Sequence, residues 1–239
     1  MGKSASFDVL GTCFHFQPII DLIGTRFKQH LGTIDPCTLF HLWFYGAQRD
    51  FTYLSLSSSY TPIAQVLRHT FRRTCAIVDF PDPEKNITDE DVQAIMQEVL
   101  KLPARPGLKK CFDGLREAGW DVYGVTNGGK QASLKYYHLA DIALDDDHLI
   151  SCDDIKIAKP DLRVYENAKK FLAQADCEPE KRWFVAAHAW DLIQARNAGF
   201  KTAWLSYEER LPQTEIFGKF DIYADTMEEL LEKMKAAEA

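Results

Sequence analysis

The chain is predicted to be an α/β protein: a parallel sheet covered by helices on both faces, interrupted after its first strand by a helical insert. Three observations predict it. Ser6-Phe7-Asp8-Val9-Leu10-Gly11-Thr12 runs apolar into an aspartate and then breaks at a Gly-Thr turn, as a buried strand does when it pushes a carboxylate out of its carboxyl edge. From Pro18 to about Leu102 helical periodicity dominates and strand-like alternation is scarce. After Gly107 strand-like and helical segments alternate, the rhythm of units that build a parallel sheet.

The elements follow in order. The first strand ends at Asp8 and, since alone it could not be buried, must join the later sheet. The insert carries helical apolar groups at Ile19, Ile20, Leu22 and Ile23, at Leu39, Leu42, Trp43 and Phe44, at Ile63, Val66, Leu67 and Phe71, and at Val92, Ile95, Met96 and Val99. Breakers separate them: Ser57-Ser58-Ser59 before Pro62, then Pro81-Asp82-Pro83 ahead of a helix start at Thr88 and Asp91. Beyond Pro103 a helix over 106–118 closes at Gly119, and a strand over 121–125 stops at Thr126-Asn127-Gly128-Gly129. Helix 130–139, a short apolar segment ending near Ser151-Cys152, helix 161–175 and strand 183–187 come next. Helix 192–198, strand 202–205, the segment 220–223 and a last helix from Thr226 complete the pattern. Residues 1–16 and 103–239 are thus expected to form the core, and 17–102 a helical cap.

Composition limits what this fold can serve. With 239 residues, 46% apolar and 26% charged, the chain has ordinary globular composition. A net charge of −7 argues against a nucleic-acid partner or an anionic membrane surface, which need a basic face. No run of roughly 18 apolar residues is present and no secretory leader opens the chain, so a cytoplasmic protein without membrane contact is expected. The cysteines at 13, 37, 75, 111, 152 and 177 lack the close spacing of a zinc or redox site and read as reduced, buried hydrophobes. Cys13 beyond the first strand could be nucleophilic only with a basic partner, and none is identifiable nearby.

In a parallel α/β sheet the carboxyl ends of the strands converge. Here they deliver Asp8 and Thr12, then Thr126 and Asn127, then Lys159, then His188, Trp190 and Asp191. Singly each has a dull reading: an Asx turn for Asn127, a solvated charge for Lys159, a helix N-cap for Asp191. Their arrival in matching places weakens that reading.

The order and wording of these motifs resemble the haloacid dehalogenase superfamily, and within it the type II branch of 2-haloacid dehalogenase-like proteins. The matching segments are Phe7-Asp8-Val9-Leu10-Gly11-Thr12, Thr126-Asn127-Gly128, Lys159-Pro160-Asp161-Leu162-Arg163-Val164-Tyr165, and Phe184 to Phe200 with His188-Ala189-Trp190-Asp191. The resemblance implies a Rossmann-like parallel-sheet core with a four-helix-type cap inserted after the first strand. It implies that Asp8 attacks a carbon to form an aspartyl ester, which water hydrolyses at the carboxyl carbon. Lys159 would hold Asp8 charged in a low-dielectric crevice. Thr12 and Thr126 would hydrogen-bond the Asp8 or the substrate carboxylate, and Asn127 and Trp190 would cradle the leaving group. Asp191 would position or deprotonate the water, with Tyr165 and His188 near it; His188 is a candidate base or a histidine bonded to a backbone carbonyl. A homodimer through the cap is a further implication, which the aromatic helices permit.

Departures from the family pattern matter as much. The superfamily's phosphatases carry a second aspartate where this chain has Leu10, and an acidic metal ligand where it has Ala187. Magnesium prefers an oxygen octahedron and assists phosphoryl transfer by neutralising charge, so neither a metal nor any other cofactor is expected, and phosphatase activity is disfavoured. Type II dehalogenases have an aromatic residue at the Leu10 position, which implies a reshaped cavity here. They also place a halide-stabilising arginine where Phe44 stands; Arg49, one or two turns further on, is the alternative cation. Their serine and asparagine before the Trp-Asp pair are Ala186 or Ala187 and His188. Three readings stay open: a metal-independent 2-haloacid dehalogenase acting on a small carboxylate, a hydrolase opening an epoxide or another electrophile with the same nucleophile, and a catalytically silent scaffold whose aromatic cap (Trp43, Phe44, Tyr45, Phe51, Tyr53, Tyr60) binds a partner.

Overall fold

A computed structural model describes residues 2–238. Six strands form one parallel sheet: β1 (Gly2–Asp8), β2 (Trp120–Thr126), β3 (Leu149–Ser151), β4 (Cys177–Ala186), β5 (Lys201–Leu205) and β6 (Ile222–Ala224). Their spatial order is β3-β2-β1-β4-β5-β6. The first strand is therefore central, and the winding reverses beside it, with β2 and β3 on one side and β4 to β6 on the other. At such a reversal the carboxyl ends open a crevice. The register sets Asp8 against Val125 of β2 and Phe7 against Val185 of β4, so Thr126 and Ala186, the residues after those partners, flank the end of β1.

Nine helices of nine or more residues lie among the described residues. They are α1 (Gln17–Arg26), α2 (Pro36–Leu56), α3 (Ile63–Ile77), α4 (Asp89–Val99), α5 (Leu108–Glu117), α6 (Lys130–Leu139), α7 (Leu162–Gln174), α8 (Ala189–Asn197) and α9 (Met227–Ala237). The chain divides into two compact units, one built from residues up to His15 with those from Pro103 onward, the other from Phe16–Leu102.

In the first unit β1 is buried on both faces, as a central parallel strand must be. Phe7 packs on Phe112 of α5 with ring centroids 4.7 Å apart. On the other face Ser6 pairs in register with Phe184 of β4, whose ring meets Tyr165 of α7 at 5.3 Å and Phe200 at 5.7 Å. Helix α5 starts after Gly107, whose φ of +79° suits glycine, and buries Leu108, Cys111, Phe112 and Leu115, one helical face. Next to the insertion points, His15 donates its N–H to the Pro103 carbonyl at 3.0 Å and Arg105 to that of Cys13 at 2.8 Å. These bonds frame an antiparallel bridge between Phe14 and Ala104.

Two boundaries differ from the sequence expectation for identifiable reasons. Strand β4 begins at Cys177 rather than Trp183; its leading part carries Glu178, Glu180 and Lys181, which hide the strand pattern, yet Gly2 still pairs with Cys177 across a register shift. Helix α8 begins at Ala189 rather than Leu192, because His188 is its extended N-cap residue.

In the second unit Asp35 caps α2, accepting the Thr38 N–H at 2.9 Å, with Pro36 at the first helical position. Trp43 of α2 packs edge-on against Phe71 of α3 at 5.1 Å and donates its indole N–H to the Leu67 carbonyl at 3.0 Å. Phe16, Phe40 and Phe44 form a second cluster, with Phe16–Phe44 centroids at 4.4 Å. Of the aromatic residues of the insert, Trp43, Phe44 and Phe51 are buried, whereas Tyr45 and Tyr53 are exposed. Thr88 and Asp91 close a reciprocal capping box at the start of α4. Thr88→Ala is expected to lower stability by about 1 kcal/mol, read as a decrease in the urea midpoint of the transition that reports this unit.

Candidate active site

The site is assembled from the ends of β1 and β4, the turn after β1, the segment before α7 and the first turn of α8. At the end of β1 the Asp8 carboxylate is buried and each of its oxygens has one donor. Thr12 Oγ1 donates to Oδ2 at 2.7 Å and Lys159 Nζ to Oδ1 at 2.9 Å. Thr12 Oγ1 in turn accepts the Ala187 N–H at 2.9 Å, which ties the nucleophile turn to the end of β4. That turn is sharp: the Cys13 N–H reaches back to the Val9 carbonyl at 3.0 Å, and Gly11 adopts φ +87°. A Cβ at Gly11 would lie 3.0 Å from Glu208 Cγ and 3.3 Å from His188 Cε1, so conformation and space both require glycine.

Lys159 joins two carboxylates. Its ammonium donates to Asp191 Oδ2 at 2.7 Å as well as to Asp8, lies 5.1 Å from the Phe184 ring centroid and has no solvent exposure. Burial alone would lower its pKa; the charges of Asp191 and Asp8 outweigh that and raise it, so the group stays an ammonium. Asp191 is also fully buried, and burial pushes its carboxyl up against the opposing pull of Lys159. The other oxygen of Asp191 accepts a short hydrogen bond from the Tyr165 hydroxyl. Burial, and then the Asp191 charge, raise the Tyr165 pKa well above its ordinary value, which keeps it a donor. Asn127 accepts the Lys159 backbone N–H on Oδ1 at 3.0 Å. That bond fixes the loop presenting the lysine, a positioning role beyond the leaving-group contact expected of Asn127.

His188 is buried, with Nδ1 4.0 Å from Asp8 Oδ2. Burial lowers its pKa to about 4, with Asp8 opposing and Lys159 and Arg105 assisting, so the imidazole is neutral near pH 7. Trp190 lies against it, centroids 5.4 Å apart. Sequence reasoning missed the next group outward. Arg105 donates to the Gly11 carbonyl through Nε at 3.1 Å and an Nη at 2.8 Å, pairs with Glu208, and sits 4.5 Å from the Tyr207 ring centroid. Glu209 accepts the Ala189 N–H at 2.8 Å, filling one of the orphan positions at the start of α8. The only cue to these residues was a Pro-Ala-Arg-Pro-Gly stretch and a loop without periodicity.

On the β2 side Thr126 Oγ1 accepts the Gly128 N–H at 2.9 Å; the hydroxyl that reaches Asp8 is that of Thr12. The Leu10 side chain approaches Gly128 there. Cys13 is fully buried and burial raises its pKa well above the ordinary value, which keeps it an unreactive thiol. Phe44 and Arg49 belong to the other unit: Phe44 lies in the Phe16–Phe40 ring cluster, and the Arg49 guanidinium is bonded to Asp50 at 3.0–3.1 Å.

The chain is similar to known proteins in sequence and fold. The profile of haloacid dehalogenase-like hydrolases matches residues 5–199. The chain belongs to this family. It is 26% identical over 198 residues to (S)-2-haloacid dehalogenase H-109 of Pseudomonas putida, covering 79% of this chain and 84% of that one. Its fold matches an L-2-haloacid dehalogenase structure with a TM-score of 0.82 at 22% identity over 98% of both chains. It likewise matches the L-2-haloacid dehalogenase of Xanthobacter autotrophicus with chloropropionic acid covalently bound, with a TM-score of 0.74 at 18% identity over 97% and 98%. Within this family of hydrolases the present donor set does not suit a magnesium ion. The Lys159 ammonium already bridges the two carboxylates, and Leu10 and Ala187 offer no side-chain oxygen.

Two outcomes check the electrostatics. Lys159→Met leaves two facing buried carboxylates and should destabilise the fold by about 3–5 kcal/mol at pH 7; the deficit measured by urea unfolding should shrink as acid protonates them. His188 binds its proton more readily unfolded, near pH 6.5, than folded, near 4. Its stabilisation is therefore full above pH 6.5 and is lost as pH falls through that window, by about 3 kcal/mol at most. The difference between wild type and His188→Asn across pH 4–7 isolates that loss.

Proposed function

We propose that this hydrolase removes halide from short 2-haloalkanoic acids through an ester on Asp8, without a metal. The observation that carries this reading is the Asp8 carboxylate itself, desolvated at a central strand end and held by one donor on each oxygen, Lys159 and Thr12. A carboxylate is a weak nucleophile until it is stripped of water and aligned. An Asp8 oxygen would form a bond to C2 of the substrate while the carbon–halogen bond breaks and halide leaves with its electron pair. Water would then add to the Asp8 carboxyl carbon, break the ester, restore the carboxylate and release the 2-hydroxy acid. Halide and one proton are the other products.

The neighbours divide the work. Both oxygens of Asp191 are engaged, by Lys159 and Tyr165, so Asp191 holds the lysine that neutralises the nucleophile. Neutral His188, 4.0 Å from Asp8 Oδ2, is placed to take the proton of the attacking water. Thr126 would bind the substrate carboxylate, with Leu10 shaping the cavity and Trp190 bordering the leaving group. The names of the relatives, (S)-2-haloacid dehalogenases, support a small carboxylate substrate of that configuration.

One observation favours a second electrophile, an epoxide. Phe44 sits in an apolar ring cluster and Arg49 is engaged by Asp50, so those positions supply no free guanidinium for a departing halide, whereas an epoxide keeps its leaving oxygen in the product. A cytoplasmic setting fits the free cysteines found among the described residues, and a homodimer through the second unit accompanies the reading. Among the described residues no helix is long and apolar enough to cross a membrane.

Incubation with (S)-2-chloropropionate should release chloride, and Asp8→Asn should abolish it. In oxygen-18 water, mass spectrometry of the Asp8 peptide after turnover should show label in the carboxylate; chloride release with an unlabelled Asp8 would defeat the ester mechanism.

A further inference from the structure

Beyond the residues that bond Asp8, a largely buried ion pair stands beside His188. Arg105, in the segment ahead of α5, pairs with Glu208, in the loop after β5. Their side chains are 16% and 5% exposed. An ion pair so far removed from water is a weak source of stability, so its place in the molecule calls for another reason. Arg105 holds the nucleophile turn from two directions: its guanidinium donates to the Gly11 carbonyl at 3.1 and 2.8 Å, and its backbone N–H to the Cys13 carbonyl at 2.8 Å. Glu208 lies against the same turn. A Cβ built on Gly11 would be 3.3 Å from the Glu208 carboxyl carbon and 3.3 Å from His188 Cε1, so the carboxylate and the imidazole are neighbours at that glycine.

The other charges facing His188 are engaged elsewhere. Asp8 Oδ2 is 4.0 Å from Nδ1, but Lys159 and Thr12 bond the Asp8 carboxylate. Asp191, on the helix that His188 caps, is held by Lys159 and Tyr165. Glu209 accepts the Ala189 N–H, and burial raises its pKa. Glu208 is the carboxylate that borders the ring from the loop after β5, and Arg105 is the cation that cancels it. An unopposed anion beside a buried imidazole favours the imidazolium, which has no lone pair left to accept a proton from water. The positive charge of Arg105 also acts directly against protonation of His188.

We propose that Arg105 and Glu208 are positioning residues of the reaction: as a pair they clamp the Asp8 turn through the Gly11 carbonyl and keep the His188 ring neutral, ready to take the proton of the attacking water. The inference rests on the reading of His188 as that base. Each member needs the other. Glu208 holds the guanidinium on the Gly11 carbonyl, and Arg105 removes the charge that would otherwise protonate His188.

The test compares the full chain with its Arg105→Gln, Arg105→Lys and Glu208→Gln variants, thermal unfolding confirming that each is folded. Histidine titrations are followed by heteronuclear NMR, with the His188 signal assigned by its loss in His188→Asn. In the wild type this ring should titrate near pH 4. Arg105→Gln, which keeps a donor for the Gly11 carbonyl and removes the charge, should raise that midpoint by about one pH unit or more. Arg105→Lys, which keeps the charge, should leave it within about half a unit of the wild type; Glu208→Gln, which removes the anion, should not raise it. The acid limb of kcat/KM for (S)-2-chloropropionate should move in the same order, whereas a purely structural role would lower the plateau and leave the limb in place. An unmoved His188 midpoint in folded Arg105→Gln, or an equal rise in Arg105→Lys, overturns the proposal. A midpoint that moves while the acid limb stays fixed overturns it as well, because His188 is then not the base. If the midpoints order as stated and no haloacid releases halide, the hold of the pair on His188 stands and the dehalogenase reading falls.

Discussion

The buried ammonium of Lys159 is the constraint on which the site depends. It donates to Asp8 at 2.9 Å and to Asp191 at 2.7 Å with no access to water, and the three groups make sense only together. Two carboxylates this close in a low-dielectric interior repel each other, and a lone buried ammonium would tend to lose its proton. Joined, they carry a net charge of −1, which the Thr12 and Tyr165 hydroxyls temper. Such a triad contributes little net stability compared with well-packed apolar residues. Its retention at the focal edge of the sheet is therefore easier to explain by chemistry than by folding.

The sheet supplies the geometry that the triad needs. Because β1 is central, its end is bordered by β2 and β4, and each neighbour contributes through a different kind of bond: Asn127, after β2, through the Lys159 backbone, and Ala187, after β4, through Thr12. Four separate stretches of chain are thereby held to one carboxylate without using either of its oxygens more than once. Arg105 grips the Gly11 carbonyl while it pairs with Glu208, so the turn that carries the nucleophile is fixed through its backbone as well.

Much of this was legible in the residues, and the exceptions have physical causes. The alternation of segments and the convergence of Asp8, Thr12, Lys159 and Asp191 followed from strand-end logic, since a charged residue at the end of an apolar run has few places to go. The extended start of β4 was hidden because its side chains Glu178, Glu180 and Lys181 are charged, while its pairing is made by the backbone. Arg105 and Glu208 were hidden for a different reason: their pairing spans residues far apart in the chain, in loops that have no period. The structure adds intramolecular bonds to the residues that the motifs point to, with Asn127 accepting the Lys159 backbone N–H and Thr126 the Gly128 N–H.

The paired bonds of His15 with Pro103 and of Arg105 with Cys13 bear on how such a protein can change over time. They bring the two ends of the intervening segment together inside the sheet-bearing unit, so the cost of closing a long excursion, which grows only slowly with its length, is met by hydrogen bonds that do not depend on what the excursion contains. The clasp makes segment 16–102 exchangeable in principle: it can be lengthened, trimmed or replaced while Asp8 keeps its neighbours. Selection could then revise that segment while the reacting carboxylate, encoded outside it, stays as it is.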